Sequence, residues 1–297
     1  MATPRISVIM LFFDNGNTEK RRFCKIAVDS ILRQTLGDFE FLIIASGKRD
    51  FIAKMAKKSS KIRVFFRKER LRGRTYKDQR TGIVGARNLG IAKAIGEYVA
   101  FADADDISLP ERLEVQCRYL DNHADIDMVG SVVRLIDKED KYTGFGHVFE
   151  NDIDIKKNIL WHIPMRIATL MARKAALKEM EGFSLEERAE DYEFFVRAAK
   201  KLKAHNIQYA LVKYRLSYGA STQYPLQSYL SGLRIKLKAI RTLGIIPMPF
   251  DIAMEIMSFA SLLYPDFYRT RIMLKLKRMY AKLNKSYRVD APRKRVE

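Results

Sequence analysis

The sequence predicts an α/β fold: a doubly wound, mostly parallel sheet over residues 1–222, followed by a basic helical region over residues 223–297. Three observations predict it. Apolar runs of strand length alternate with segments whose apolar residues recur at helical spacing, the β-α-β-α order that parallel sheets require. Beyond Gln223 only helical patterns rich in Leu, Ile, Met, Lys and Arg remain. The chain has 297 residues, 47% hydrophobic and 30% charged, which is enough to bury a full core.

Residues 5–13 open with the apolar run ISVIMLFF, a strand. In 18–34, Phe23, Ala27 and Ile31 stand at helical spacing before Gly37 closes the segment. FEFLIIA (39–45) is a buried strand, 50–60 a short helix and IRVFF (62–66) a third strand. Residues 82–94 read as helix, and YVAFAD (98–103) as a fourth strand. Pro110 opens a helix with Leu113, Cys117 and Leu120 on one face. MVGSVVRLID (128–137) is a strand, whereas 140–165 has no clear period; there Trp161 and His162 could line an acceptor site or simply pack. A strand-like IATLMAR, the helix KAALKEM, the helix AEDYEFFVRAAKKL and the strand IQYALVKYRLS complete the first region.

Charge is unevenly spread. The formal net charge is +20, and Pro265 to Glu297 carry eleven Lys or Arg against three Asp or Glu. Lys54 to Arg80 hold twelve basic residues against Glu69 and Asp78. Such blocks suit polyanions: nucleic acid, anionic headgroups or a diphosphate. No signal peptide precedes the first strand, and the apolar stretch 245–264 is interrupted by Pro247, Pro249, Asp251 and Glu255, so a cytoplasmic protein is expected, peripheral at most on a membrane. Cys24 and Cys117 lack metal-ligand spacing and read as buried thiols.

Against this basic background, FADADD (101–106) sets three carboxylates at the end of a strand, where open α/β sheets bind ligands. Carboxylates this close raise one another's pKa unless a cation intervenes, so the cluster points to a divalent metal, Mn2+ or Mg2+, completed by substrate phosphates. A capped turn with solvated acids is the plainer alternative.

In order along the chain, ISVIMLFFDN, SILRQTLGDFEFLII, GARNLGI, FADADD and GFSLEERAEDYEFFVR resemble the corresponding motifs of family-2 glycosyltransferases with the GT-A fold. The resemblance implies an inverting enzyme that moves a sugar from a nucleotide-sugar donor to a glycan or lipid-linked acceptor. It implies that Asp103 holds the ribose or sugar side of the donor and that Asp105 reaches the metal. Asp191 matches the catalytic base, and Phe12, Asp14, Ser46, Arg87, Asn88, Glu190 and Arg215 fall at donor-binding positions. Arg87 could instead be a buried, paired arginine, and Glu190 and Asp191 could be helix-capping acids.

Two departures stand out. Ala45-Ser46-Gly47-Lys48 replaces the Asp-Asp-Gly-Ser that ordinarily contacts uracil, and Arg215-Leu216-Ser217 replaces an Arg-x-His; Arg215, Ser217 or Tyr218 could meet phosphate instead. The rivals are a sugar-nucleotidyltransferase-like enzyme, which would need a Gly-rich basic loop where FFDNGNTEKRR stands, and a nucleic-acid-binding protein, for which no recognised module is present.

Overall fold

The computed structural model describes residues 3–67, 76–185, 189–216, 225–247 and 249–260. The expected boundary at 222, Ser217, Tyr218 and the basic segment 266–284 lie outside them.

The first half follows the predicted alternation: β1 (Ile6–Asp14), α1 (Thr18–Leu32), β2 (Phe39–Gly47), α2 (Arg49–Ala56), β3 (Ile62–Phe66), α3 (Tyr76–Lys93) and β4 (Tyr98–Asp103). All ladders within β3-β2-β1-β4 are parallel. Their register aligns Asp14 with Gly47 and Leu11 with Asp103, so three strands end along one edge. Gly47 makes that edge possible. Its φ is +89°, and a Cβ there would lie 2.0 Å from the Asp14 carbonyl oxygen.

The second half is mixed. It comprises β5 (Ile107–Ser108), α4 (Arg112–Asn122), β6 (Met128–Ile136), β7 (Tyr142–Gly146), α5 (Asp152–Lys157), β8 (Met171–Arg173), α6 (Lys174–Glu179), α7 (Glu190–Ala199) and β9 (Ala204–Arg215). Strand order continues β4-β8-β6-β9-β5, with β7 on β6. The long β6–β9 ladder is parallel, and the short pairings of β5, β7 and β8 are antiparallel. Residues 140–165, unreadable in advance, hold β7 and α5, whose strand is partly exposed and so lacks a strong apolar pattern.

Alternate strand residues face opposite layers, as pleating requires. Val8, Met10, Phe41, Ile43 and Ala100 pack with Cys24, Val28, Leu113 and Cys117 of α1 and α4. Ile9, Leu42, Val99 and Phe101 pack with Ile91, Leu177 and Phe194 of α3, α6 and α7. Helices therefore cover both faces, and both cysteines are buried free thiols. A smaller core joins Ile159, Leu160, Val196 and Ala199 to Ile235 and Ala239 of α8 (Pro225–Leu243). Helix α9 (Pro249–Ala260) lies beside α8, held by a Lys236–Glu255 ion pair and a Tyr229–Phe259 ring contact.

Candidate active site

The turn after β4 carries Asp105 and Asp106, and β5 then pairs with β9 through Ile107–Lys213 and Ser108–Val212. That pairing brings the end of β9 against the acidic turn. The Arg215 N–H donates to Asp106 Oδ1 (2.8 Å), and its guanidinium donates to the carbonyls of Asp105 (2.9 Å) and Asp137 (2.8 Å). Its Nη2 lies 2.5 Å from Asp140 Oδ1, and Cζ sits 4.0 Å from the Phe23 ring centroid. Arg215 is buried; its Nε and Nη1 are hydrogen-bonded, whereas Nη2 faces Asp140 without a hydrogen bond. These bonds give Arg215 a positional role at the acidic turn. A planar fork with several donors can hold a turn from behind; a point charge cannot do so equally well.

Burial dominates the electrostatics of the cluster. It raises the Asp103 carboxyl to about 6, aided by Asp105 and Asp191 and opposed by Arg87 and Arg112. Asp105 is raised, and Asp106 well raised, for the same leading reason. Asp106 Oδ2 is buried with no hydrogen-bond partner. Beneath the turn lies Arg112, fully buried, donating to Phe101 O (2.7 Å), Ser108 Oγ (3.0 Å) and Gln116 Oε1 (3.0 Å). Burial draws its pKa down to about 10, while Asp103 and Asp106 hold it up. Sequence reasoning missed Arg112. The available signal was its place beside Leu113 with Gln116 one turn on, two polar residues on the face read as apolar.

Helix α3 meets the Gly182-Phe183 turn through Asn88, whose Oδ1 accepts from Phe183 N (2.8 Å) and whose Nδ2 donates to Phe183 O (2.9 Å). Gly182 has φ +69°, and a Cβ would come 2.4 Å from Asn88 Oδ1. Both amide groups bond the Phe183 main chain, so Asn88 positions this turn. Arg87 donates to Glu190 Oε1 (3.0 Å) and stacks over Phe183, its Cζ 5.0 Å from the ring centroid. That is the paired arginine of the plainer reading, with Glu as its partner. Glu190 is raised by burial, and Arg87 pulls it back. Asp191 sits in the first turn of α7, with Oδ1 accepting from Tyr192 N (2.8 Å), and contributes to the field at Asp103.

At the β1 and β2 ends the predicted donor residues separate. Asp14 accepts from Gly16 N (2.9 Å) and is paired with Arg21 (2.8 Å), which holds its carboxyl below the usual range. Both carboxylate oxygens are bonded within the fold. Phe12 is buried and packs on Phe51 with centroids 5.6 Å apart. Ser46 differs: it is 3% exposed, and its Oγ has no hydrogen-bond partner. Trp161 and His162 pack edge-on against Phe149, and Trp161 Nε1 donates to Asn158 Oδ1 (3.1 Å).

Residues 7–180 match the model of glycosyl transferase family 2. The chain belongs to that family. The O-antigen biosynthesis glycosyltransferase WbnJ of Escherichia coli is 32% identical over 218 residues, covering 70% of this chain and 80% of that one. S. aureus TarS 1–349, solved with UDP-GlcNAc, is similar with a TM-score of 0.61 at 18% identity, covering 86% and 72% of the two chains. The mannosyltransferase PcManGT from Pyrobaculum calidifontis, solved with GDP-Man and Mn2+, gives 0.58 at 16%, covering 96% and 77%. At such identities these two share the GT-A fold with this glycosyltransferase.

The family commonly uses a divalent metal, and the residues here fit one. Among the described residues no three His, Cys, Asp or Glu side chains are grouped to hold an ion alone. Mg2+ and Mn2+ at such sites take one or two carboxylates and fill the rest with water and substrate phosphates. The raised Asp103 and Asp105 and the orphaned Asp106 oxygen are a donor set that a cation would relieve.

Proposed function

We propose that this glycosyltransferase is metal-dependent and inverting, with catalytic residues inside 1–222 and an auxiliary helical region from 223. It moves a sugar from a nucleoside-diphosphate sugar to a hydroxyl of a glycan or lipid-linked acceptor. The observation that carries the reading is the half-buried acidic turn after β4, where Asp106 keeps a buried, unpaired oxygen and desolvation raises the carboxyls in the field of Asp191.

In this reading Asp103 orients the ribose or sugar side of the donor and Asp105 holds the metal. Mn2+ or Mg2+, when bound, would supply Lewis-acid neutralisation of the departing diphosphate. Asp191 accepts the proton of the acceptor hydroxyl. The hydroxyl oxygen bonds to the anomeric carbon, and the electron pair of the breaking C–O bond leaves on the diphosphate. One displacement inverts the centre. Arg112 and Arg215 keep the turn in place, while Arg87 sets Glu190 beside the base. Ser46, with a neutral and unpaired hydroxyl, stands where a carboxylate would favour uracil, which disfavours UDP. The relative named for O-antigen biosynthesis supports a place in polysaccharide synthesis, peripheral at the cytoplasmic face of a membrane.

A calorimetric panel of nucleotide sugars with and without Mn2+ tests the donor side. Wild type binds one donor in a metal-linked manner, Asp105→Asn loses that linkage, and Asp191→Asn keeps it while single-turnover transfer falls about 10³-fold. Unchanged linkage in Asp105→Asn, or near-normal transfer by Asp191→Asn, sinks the respective assignment.

A further inference from the structure

The hairpin of α8 and α9 turns apolar side chains away from the protein. In α9, Met254 is buried, while Ile252, Ile256 and Phe259 are 55%, 64% and 58% exposed. Their spacing of four and seven residues places them on one stripe opposite Met254. In α8, Ile235 and Ala239 enter the core shared with α7, and Leu226, Leu230 and Leu237 are exposed on the opposite side. Ile246, in the connection, is 84% exposed. Because Tyr229 meets Phe259 and Lys236 pairs with Glu255, the two helices lie side by side and their stripes adjoin.

At ~100° per residue, Arg234 and Arg241 flank the α8 stripe on the side away from α9. Residues 225–260 contain four basic residues, all on α8, and two acidic ones, Asp251 and Glu255 of α9. Glu255 of α9 is taken by Lys236, and Lys238 reaches back to Glu193 of α7 (3.2 Å). An apolar band rimmed by cations on a short helical pair suits the headgroup boundary of an anionic bilayer. A second copy of this chain would set the same cationic rim against itself. Among the described residues no helix is long and apolar enough to cross a membrane.

We propose that the outer face of α8–α9 lies in the interface of an anionic membrane, with Ile252, Ile256 and Phe259 inserted and Arg234 and Arg241 at the headgroups. The inference deepens the membrane part of the functional reading and rests on none of the catalytic carboxylates. Since α8 packs on α7, whose first turn holds Asp191, such seating would bring the active site to a lipid-linked acceptor.

The experiment is co-sedimentation of the full chain with phosphatidylcholine vesicles, with and without phosphatidylglycerol, at low and high salt. Wild type is expected to bind the anionic vesicles at low salt and to be released at high salt. Binding falls at least tenfold in Ile252→Glu/Ile256→Glu/Phe259→Glu and roughly tenfold in Arg234→Gln/Arg241→Gln. Thermal melts check that the variants fold. Hydrogen exchange on wild type, which needs no variant, is expected to slow in 225–260 when anionic vesicles are added. Failure of wild type to bind, equal binding by the triple variant, or exchange unchanged in that segment overturns the proposal. So does a wild-type dimer in light scattering that the triple variant dissolves without loss of vesicle binding. Donor calorimetry without vesicles reports on the catalytic reading separately, so either can fail alone.

Discussion

Two acidic centres, one buried and one half-buried, stand at the ends of neighbouring strands, and the protein treats them oppositely. Asp14, at the end of β1, is given Arg21 and the Gly16 N–H, and its pKa falls. Asp103 to Asp106, at the end of β4, are given burial and one another, and their pKa values rise. Arginines approach the second centre, yet the guanidinium hydrogen bonds of Arg112 and Arg215 go to main-chain carbonyls and neutral side chains. The first carboxylate is part of the fold's own wiring. The second is left with an unsatisfied oxygen, as a site is when its partner is a ligand.

Removing the first centre is expected to have the larger effect on stability. Asp14→Ala removes the partner of Arg21 and of the Gly16 N–H and should lower stability more than any change at the second centre. Asp105→Asn should leave the ligand-free protein unchanged or more stable, since it relieves repulsion at Asp103. Urea unfolding of both variants measures the contrast. Equal losses would erase the distinction between the two centres.

A pH series sharpens it. With Asp103 raised to about 6, the folded state keeps a proton between about pH 4 and 6 that the unfolded chain has released. Its contribution is therefore present below the unfolded pKa and lost as pH rises through 6, roughly 3 kcal/mol. Asp14 has the opposite sign: its stabilisation is present above the unfolded carboxylate pKa and is lost as pH falls through its lowered value. His205, held down to about 4 mainly by burial, adds stability as pH rises over about 4 to 6.5 and would mask the Asp103 slope. The quantity to measure is wild type minus Asp103→Asn, expected to decline from pH 4 to 6. A flat difference would mean that Asp103 titrates as it does in the unfolded chain.

The smallest effect is expected at Arg215→Lys, which keeps the charge and loses the fork to Asp105, Asp137 and Asp140. Stability should drop about 1 kcal/mol, while Mn2+-linked donor affinity weakens several-fold with kcat less affected. A lower melting temperature with unchanged donor affinity would make Arg215 purely structural.

The helix and strand order of the first half was legible because β1, β2 and β4 are largely buried on both faces and α1 has a clean apolar stripe. β7 and α5 were not, because half-exposed elements need no strict pattern. Among site residues, Asp103, Asp105, Glu190 and Asp191 announced themselves as acids at element ends. For Asn88, Asp14 and Arg215, which look like ligand-binding residues in the sequence, only the fold shows the bonds to Phe183, Arg21 and the acidic turn.

From the order of its residues alone, this protein determined its α/β class, its strand-end acidic turn and its family, because periodicity and motif are local properties of the chain. Tertiary structure decided which of its charged groups remain available. A side chain's hydrogen-bond capacity is finite, and only the folded chain, by joining β9 to the turn after β4 through residues more than a hundred positions apart, shows what has used it.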